Sequence, residues 1–149
     1  MRNAPGIQRD DIVAATTTAS FDIAAIELLL PLTVGARIEL LPRVIAMDGL
    51  ALAGALAACG ATVVQATPSA WRMLVEANWE GGEHIKAITG GEPLTRDLAD
   101  KLLARVGALY NGYGPTETTI YSSGCFIERG SAPISIGKPV ANTRIYVLD

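Results

Sequence analysis

Short apolar runs alternate with helix-like stretches along most of this chain, and this alternation limits the possible folds more than any other feature. Runs of this length that are rich in aliphatic and β-branched residues are typical of strands buried in a sheet. A helical pattern with an apolar face separates each run from the next, which predicts parallel strands covered by helices. The predicted parallel strands are residues 12–18, 36–41, 62–66, 85–89 and 106–110.

The ends of the predicted helices are marked by capping residues. The second helix is predicted to begin at Asp48 and to stop at Gly60, a residue that adopts the left-handed conformation easily. The order Thr67-Pro68 is typical of a helix N-terminus, because proline suits the first turn. The candidate N-cap residues of the four helices are Ser20 or Asp22, Asp48, Thr67 and Thr95.

The two ends of the chain are predicted to differ from its middle. Residues 1–11 are polar and are expected to form a loop or a loose start, and residues 78–84 are expected to form a loop. The predicted fold is α/β, a flavodoxin-like, mostly parallel sheet flanked by helices, with short antiparallel strands at the C-terminal end. The predicted C-terminal strands are residues 120–127, 134–136 and 144–148.

Composition narrows the class of protein further. The 149 residues are enough for one domain, and with 50% hydrophobic but only 5% aromatic residues its core must be aliphatic. The net charge of −3 leaves no basic patch for nucleic acid or an anionic membrane. The N-terminus does not resemble a signal peptide, and Pro31, Glu39 and Pro42 interrupt the apolar runs. A cytoplasmic location is therefore expected.

Four residues that often carry chemistry are given structural roles. Cys59 and Cys125 lie far apart without metal-ligand spacing, and they are predicted to be buried free thiols. His84, the only histidine, lies in a polar stretch and is predicted to be solvated. Trp71 lies on the apolar face of a predicted helix and is expected in the core.

The strongest functional signal is the string Asn111-Gly-Tyr-Gly-Pro-Thr-Glu117, which directly follows the predicted strand 106–110. Gly112 and Gly114 predict a sharp turn and allow a ligand to approach the backbone closely. Pro115 suits the first turn of a helix. Ligands of open α/β sheets bind at the carboxyl ends of strands, where this string is predicted to lie.

Side chains of this string suit a flat ligand and a metal ion. An exposed Tyr113 offers a flat face, while Thr116 and Glu117 offer a hydroxyl and a carboxylate, which suit Mg²⁺. Polar clusters also follow three other predicted strands, so all four clusters are expected at one edge of the sheet. The four clusters are residues 21–22, 65–69, 90–92 and 111–117.

These motifs resemble a known family. The string 111–117 is similar to the adenine- and phosphate-binding motif of adenylate-forming enzymes, and its continuation Thr118-Thr119-Ile120 looks like nonribosomal peptide synthetase adenylation domains. Ser20-Phe21-Asp22 resembles the motif that opens their amino-acid pocket, where the aspartate holds the α-ammonium group. A carboxylate near a helix start is stabilised in its charged form, and a buried ammonium needs such a partner. Taken alone, Asp22 also fits a helix cap.

The resemblance implies a pocket that selects the amino acid. Its composition resembles the residue set associated with glycine, except that Gly112 stands where a larger side chain is usual and Tyr121 where Trp is usual. Both departures are expected to enlarge the cavity, so alanine or another small residue remains an alternative to glycine. The implied substrate-binding residues are Asp22, Ile23, Ile26, Gln65, Ile88, Gly90, Gly112, Ile120 and Tyr121.

The resemblance also implies how ATP and a metal ion would bind. Tyr113 would stack on adenine, Thr116 would bind phosphate, and Glu117 would coordinate Mg²⁺, which makes Thr116 and Glu117 the implied catalytic residues. The implied nucleotide-binding residues are Gly91, Glu92, Asn111, Gly112, Tyr113 and Thr116.

The implied reaction is attack of an amino-acid carboxylate on the α-phosphate of ATP, which gives an aminoacyl-adenylate and pyrophosphate. Transfer to the phosphopantetheine arm of a carrier protein would follow. Such chemistry depends on positioning and charge neutralisation. The implied partners are the amino acid, the carrier protein and the remainder of an adenylation domain.

Several motifs of a whole adenylation domain are missing from residues 1–149, including a phosphate loop that ends in Pro-Lys-Gly. The chain is therefore expected to be a single subdomain, a fragment of the large N-terminal core, that is inactive alone. Two alternatives stay open. A fragment of an acyl- or aryl-acid ligase would leave Asp22 without an ammonium partner. The second alternative is a stand-alone flavodoxin-like module that binds a nucleotide or a flavin, and for a flavin Glu117 would lie unfavourably beside the phosphates.

Overall fold

Helices and strands alternate in the structure, a computed structural model that describes residues 4–130 and 132–148. The strands are β1 (Ile12–Ala15), β2 (Arg37–Leu40), β3 (Val63–Ala66), β4 (Gly82–Thr89), β5 (Val106–Tyr113), β6 (Ser123–Phe126) and β7 (Lys138–Pro139). The helices are α1 (Ala24–Leu28), α2 (Arg43–Ala46), α3 (Gly49–Cys59), α4 (Pro68–Glu76) and α5 (Arg96–Leu103). Short 3₁₀ turns occupy Pro31–Thr33 and Thr116–Thr118.

Within the described residues, seven strands form one sheet in the order β2-β1-β3-β4-β5-β6-β7. Strands β1 to β5 pair in parallel, whereas β6 and β7 are antiparallel additions. The order 2-1-3-4-5 is that of flavodoxin-like sheets, in which the strand order reverses between β1 and β3. The predicted fold class is therefore confirmed.

Helix ends agree with the predicted caps except at α1. The side chains of Asp48, Thr67 and Thr95 accept a bond from the backbone of the first turn of α3, α4 and α5, and Gly60 ends α3 in the left-handed region. The N-cap of α1 is Ile23, which makes no capping bond, so the prediction of Ser20 or Asp22 is wrong.

A run of turns explains the missing cap at α1. The backbone carbonyls of Phe21 and Asp22 already accept bonds from the N–H groups of Ala24 and Ala25, each at 3.0 Å. These carbonyls satisfy donors that a side chain would otherwise have to satisfy. The Asp22 carboxylate is therefore not used as a cap.

Strand boundaries differ from the prediction where pairing decides them. Strand β1 ends at Ala15, so residues 16–18 belong to a loop. The predicted loop 78–84 is wrong at its end, because β4 already begins at Gly82, where it pairs with Val106 of β5. A strand extends as far as its neighbour offers backbone partners, and the amino-acid pattern alone does not contain that information.

The C-terminal strands are shorter than predicted. Only Ser123–Phe126 of the predicted strand 120–127 is a strand, and residues 134–136 and 144–148 form none. The last strand is instead β7, which pairs with β6. Among the described residues, no strand pairs with the apolar run 144–148. The side chains of Tyr146, Val147 and Leu148 are accordingly exposed.

Residues 4–11 contain no helix or strand, which confirms the predicted loop, but part of the segment is packed against the sheet rather than loose; residues 1–3 lie outside the described residues. Ile7 is buried, and the buried Asp11 carboxylate forms an ion pair with Lys86 at 2.7 Å. The segment therefore covers part of the sheet.

Alternate residues of the central strands face different cores. Ala14, Val64, Ala87 and Leu109 belong to a core with α3, α4 and α5, whereas their neighbours face a second core with α1 and the N-terminal segment. Those neighbours are Val13, Val63, Ile88 and Tyr110. The first face is covered by three helices and the second mainly by the short α1, which leaves room there for loop residues such as Tyr121.

The residues given structural roles largely behave as predicted. Trp71 is fully buried, and its indole N–H donates to the Ile88 carbonyl at 3.1 Å. His84 is exposed. Cys59 and Cys125 are free but half-buried, so the prediction of buried thiols holds only in part. None of the helices in the described part of the chain combines the length and apolar character needed to cross a membrane.

Candidate functional site

The four polar clusters lie at one edge of the sheet because β1, β3, β4 and β5 are parallel neighbours. Direct bonds join two of the clusters. The backbone N–H of Ser69 donates to a Glu92 carboxylate oxygen at 3.1 Å, and the Ser69 hydroxyl donates to the same oxygen at 2.6 Å. Glu92 therefore ties the loop after β4 to the start of α4.

Tyr121 lies at the centre of the predicted amino-acid pocket. Its ring is buried with Ile23, Ile26 and Ile88, and Ile120 packs at the margin of this cluster. Its hydroxyl donates to the Gln65 side-chain oxygen at 3.2 Å. Several predicted pocket residues are thus in contact around one phenol ring.

Two glycines make room for this ring. A Cβ atom added to Gly112 would lie 2.8 Å from carbons of the Tyr121 ring, and one added to Gly90 would lie 2.4 Å from the phenol oxygen. Gly112 belongs to β5 and pairs with Gly124, so the prediction that it forms a sharp turn is wrong. The ring fills the space that a side chain at position 112 would take, so the expected enlargement of the cavity does not occur there.

Asp22 is half-buried at the start of this pocket. Burial raises the pKa of the Tyr121 phenol, against the hydrogen bond to Gln65, and the negative charges of Glu27 and Asp22 raise it further. The Asp22 carboxylate is therefore close enough to affect the pocket and, unlike a capping side chain, remains available to a ligand.

A cavity of ≈ 360 Å³ lies beside the pocket, between the loop after β4 and the end of β5. Five of the six predicted nucleotide-binding residues line it: Gly91, Glu92, Asn111, Gly112 and Tyr113. The sixth, Thr116, lies beyond the wall, in the 3₁₀ turn that follows Pro115. Pro115 is the extended residue before that turn rather than part of its first turn. The ring of Tyr113 is half exposed, as stacking on a flat ligand requires.

Ile134 and Ile136 complete the wall of this cavity, which the sequence did not predict. The Asn111 side-chain amide donates to the Ser135 carbonyl at 2.9 Å and holds this segment beside β5. The sequence did contain a signal for this pair. Ile134 and Ile136 are two positions apart, and residues at positions i and i+2 of an extended segment point to the same side.

Glu117 is the candidate metal ligand. It is exposed in the 3₁₀ turn, and no group of three or more His, Cys, Asp or Glu side chains among the described residues could hold a metal ion. Magnesium is usually bound by one or two carboxylates together with substrate phosphates and water. A single accessible carboxylate therefore fits Mg²⁺ that arrives with a nucleotide.

The segment between Glu117 and Tyr121 has an unusual backbone. Thr119 and Ile120 both have φ +68°, a conformation that β-branched residues rarely adopt. The hydroxyl groups of Thr118 and Ser122 are hydrogen-bonded to each other, and the Ser122 N–H donates to the Tyr113 carbonyl at 2.8 Å. These bonds hold the strained residues and direct Tyr121 back into the pocket.

Glu27 of α1 is a residue of this edge that sequence reasoning missed. Its side chain is 0% exposed. One carboxylate oxygen accepts the N–H groups of Thr16 and Thr17, each at 2.9 Å, and the other accepts the Thr17 hydroxyl at 2.6 Å. Burial raises the pKa of Glu27 to about 7, although these bonds favour the ionised form. The sequence did contain a signal for a buried Glu27, because this charged residue lies four positions after Ile23 and therefore on the apolar face of the helix.

The chain matches the AMP-binding enzyme family over residues 1–149. It is 40% identical over its whole length to a PKS-NRPS hybrid synthetase of Aspergillus candidus and 39% identical to a dimodular nonribosomal peptide synthase of Bacillus subtilis. The chain spans only 6% of the length of each of these curated relatives.

The fold also matches a solved structure, a four-domain nonribosomal peptide synthetase bound to AMP and glycine. The TM-score is 0.96 at 43% sequence identity, and the match covers 100% of this chain and 11% of that one. The predicted resemblance to nonribosomal peptide synthetases is therefore confirmed.

Proposed function

This chain belongs to the family of AMP-binding enzymes, and we propose that it is the amino-acid-selecting subdomain of a nonribosomal peptide synthetase adenylation domain, specific for glycine or another small amino acid such as alanine. The observation that carries this proposal is the buried ring of Tyr121, packed against Gly90 and Gly112 close to Asp22. We propose that this ring limits the volume beyond the Cα atom of an amino acid whose ammonium group is bound by Asp22. The glycine bound to the relative of 43% identity supports a small substrate.

The cavity beside this pocket is proposed to bind ATP. Tyr113 would stack on adenine, and Gly91, Glu92, Asn111 and Gly112 would surround the base and ribose. Thr116 would bind phosphate, and Glu117 would bind Mg²⁺, which neutralises phosphate charge when bound. A cavity of ≈ 360 Å³ lies within the usual range for small-molecule sites.

The proposed reaction joins the amino-acid carboxylate to the α-phosphate of ATP and releases pyrophosphate. Transfer to the phosphopantetheine thiol of a carrier protein would follow. The residues of this chain would bind and orient the two substrates, which is the main requirement of such a transfer. Residues 1–149 alone are proposed not to form the adenylate, because they contain no Pro-Lys-Gly phosphate loop.

Grafting tests the proposal. Residues 1–149 replace the matching segment of an adenylation domain that activates a large amino acid, and pyrophosphate exchange is measured with a panel of amino acids. Exchange that depends on glycine or alanine is expected, and a chimera that keeps the host's preference would overturn the proposal. A second chimera with the same junctions, carrying the segment of a third domain of known selectivity, controls for folding. If it is active while the test chimera is not, the result also counts against the proposal.

Replacing Tyr121 in the active chimera tests the size argument directly. Tyr121→Ala removes the ring that fills the pocket, so activation of larger aliphatic amino acids should increase relative to glycine. A fully buried aromatic ring is large enough to make room for several methylene groups. An unchanged preference would show that another residue limits the size of the substrate.

Asp22 separates this function from an acyl- or aryl-acid ligase. Asp22→Asn should raise the amino-acid KM by about 100-fold or more, because the ammonium loses its charge partner. The matched control is Asp48→Asn, since Asp48 caps α3 and an asparagine caps equally well. Full activity of the Asp22 variant, or activation of acids that lack an amino group, would favour the ligase alternative.

A further inference from the structure

The Glu27 carboxylate is engaged entirely by one short segment of chain. All three of its donors belong to Thr16 and Thr17, the first residues after β1. These bonds close a ring of chain between the end of β1 and α1. Phe21 and Asp22 lie on the loop inside this ring, so Glu27 fixes both ends of the segment that carries Asp22.

The loop has few other anchors. Helix α1 is only five residues long and begins without a side-chain cap, so it contributes little stability of its own. Outside the bonds to Glu27, the loop has turns within it, such as the Phe21 N–H to the Thr18 carbonyl at 2.9 Å, one bond from the Thr16 hydroxyl to the Gln65 carbonyl of β3 at 3.4 Å, and the packing of Ile23 in the second core. The position of Asp22 relative to the sheet therefore depends strongly on the bonds made by Glu27.

A carboxylate in this place needs an explanation beyond packing. None of the four ion pairs among the described residues includes Glu27. Burial of a carboxylate without a cation is unfavourable, and an apolar side chain would avoid this desolvation cost. An apolar side chain would, however, leave the N–H groups of Thr16 and Thr17 without this acceptor.

The loop also lies where this sheet is suited to bind ligands. Thr16 follows β1 and Thr67 follows β3, the two strands between which the strand order reverses. Ligands of such sheets bind in the crevice at this point. The Thr16 hydroxyl lies 3.4 Å from the Gln65 carbonyl across this crevice.

We propose that Glu27 is a positioning residue for amino-acid selection, because its bonds to Thr16 and Thr17 hold Asp22 at the place where the substrate's ammonium group binds. This inference rests on the proposed function. Glu27 itself does not touch the substrate. It acts through the loop between β1 and α1 and has no role in binding ATP.

The test uses the complete adenylating enzyme that contains this segment and measures KM for glycine and for ATP by pyrophosphate exchange. Glu27→Ala should raise the glycine KM about 10-fold, the effect of losing a buried acceptor, while the ATP KM stays within about 2-fold. Glu27→Gln should restore most of the affinity, because its amide oxygen can accept both N–H groups and the Thr17 hydroxyl can turn to accept from the amide nitrogen.

Asp11→Ala is the matched control. Asp11 is also a buried carboxylate with three donors, but it lies at the amino end of β1, away from the candidate site. This variant should lower stability without changing either KM. A loss of folding alone would thereby be distinguished from a misplaced loop.

Three results would overturn the proposal: an unchanged glycine KM in Glu27→Ala, an equal rise of both KM values, or a Glu27→Gln variant as impaired as Glu27→Ala. If Glu27→Ala does not fold, Thr17→Val decides, since it removes only the hydroxyl donor. It should raise the glycine KM about 3-fold, and no change would count against the proposal. A wild-type enzyme without amino-acid-dependent exchange would instead refute the proposed function, and the inference would fall with it.

Discussion

The two ends of the parallel strands each contain a buried carboxylate, and the two carboxylates behave in opposite ways. Asp11, at the amino end, is 6% exposed and accepts bonds from the Gln8 N–H, the Thr62 hydroxyl and the Lys86 ammonium. Glu27, at the carboxyl end, is 0% exposed and also accepts three bonds, all from neutral donors. The two sites therefore differ in one cation and in the depth at which the carboxylate is buried.

This difference reverses the direction of the pKa shift. Burial alone would raise the pKa of Asp11, but the hydrogen bonds from Lys86, Gln8 and Thr62 outweigh it and lower the pKa. Burial raises the pKa of Glu27 to about 7 despite its bonds to Thr17 and Thr16. At Glu27, three neutral donors do not offset the effect of deep burial on the pKa, whereas at the less deeply buried Asp11, donors that include a lysine do.

The largest expected effect comes from removing the paired carboxylate. Asp11→Ala should lower the free energy of unfolding of the chain by about 2–4 kcal/mol at pH 7, because the partly buried Lys86 loses its partner. Denaturation in urea measures this change. Lys101→Ala removes an exposed ion pair to Asp97 instead and should change stability by less than about 0.5 kcal/mol. Equal effects of the two variants would mean that burial of the Asp11 pair has no energetic importance.

The pH dependence of Glu27 is the next largest effect. Its pKa is higher in the folded state than the ordinary 4.5, so the folded state binds more protons between pH 4.5 and about 7. The contribution of Glu27 to stability should fall by about 3 kcal/mol as the pH rises through this range. Tyr121 is a titratable group near it, since the charge of Glu27 raises the pKa of the Tyr121 phenol.

Glu27→Gln isolates this contribution. The unfolding free energy of the wild type minus that of the variant should decrease from pH 4 to pH 8. Only the wild type has a carboxyl group at position 27 that loses a proton in this range. A difference that is constant with pH would show that Glu27 titrates in its ordinary range. Asp11 provides the opposite case: its contribution is present above the ordinary pKa and is lost as the pH falls through its lowered pKa.

Removing the cation should make the amino-end site resemble the carboxyl-end site. In Lys86→Met, burial of Asp11 is no longer opposed by a charge, so its pKa should rise above the ordinary value. We expect the free energy of unfolding to fall by about 2 kcal/mol at pH 7 and by less than that at pH 4. Unfolding curves at both pH values measure it, and a loss that is larger at pH 4 would contradict the role given to Lys86.

The smallest effect compares one hydroxyl donor at each site. Thr17→Val removes a single bond to Glu27 and should destabilise the chain by about 1 kcal/mol. Thr62→Val should cost about 2 kcal/mol, because the Thr62 hydroxyl donates to Asp11 and also accepts the Ile12 N–H at 2.9 Å. Thermal or urea unfolding ranks the two, and the reverse order would show that the neutral donors at Glu27 matter more.

Local signals explain why most of the fold could be predicted. Asp48, Thr67 and Thr95 begin helices and Gly60 ends one, because capping depends on residues within a few positions of each other. The alternation of strands and helices was sufficient for the parallel sheet. The predictions of strands at 134–136 and 144–148 were wrong because a strand needs the edge of a neighbouring strand to pair with. The composition of these segments does not say whether such an edge exists.

The candidate site was predicted only in part for the same reason. The string 111–117 indicated the nucleotide cavity, but the contribution of Ile134 and Ile136 depends on how a distant segment folds back onto β5. Gly112 was identified as a place of close approach, yet the group that approaches it is the ring of Tyr121.

By itself, the sequence determined the α/β alternation, the caps of α3, α4 and α5, and the motif around Tyr113, since each depends on neighbours in the chain. Only the tertiary structure decided that Tyr121 fills the space beside Gly90 and Gly112, and that Glu27 is buried beneath Thr16 and Thr17. These contacts join residues that are brought together by the order of the strands and by loop packing. Their energies depend on burial, which no short stretch of sequence specifies.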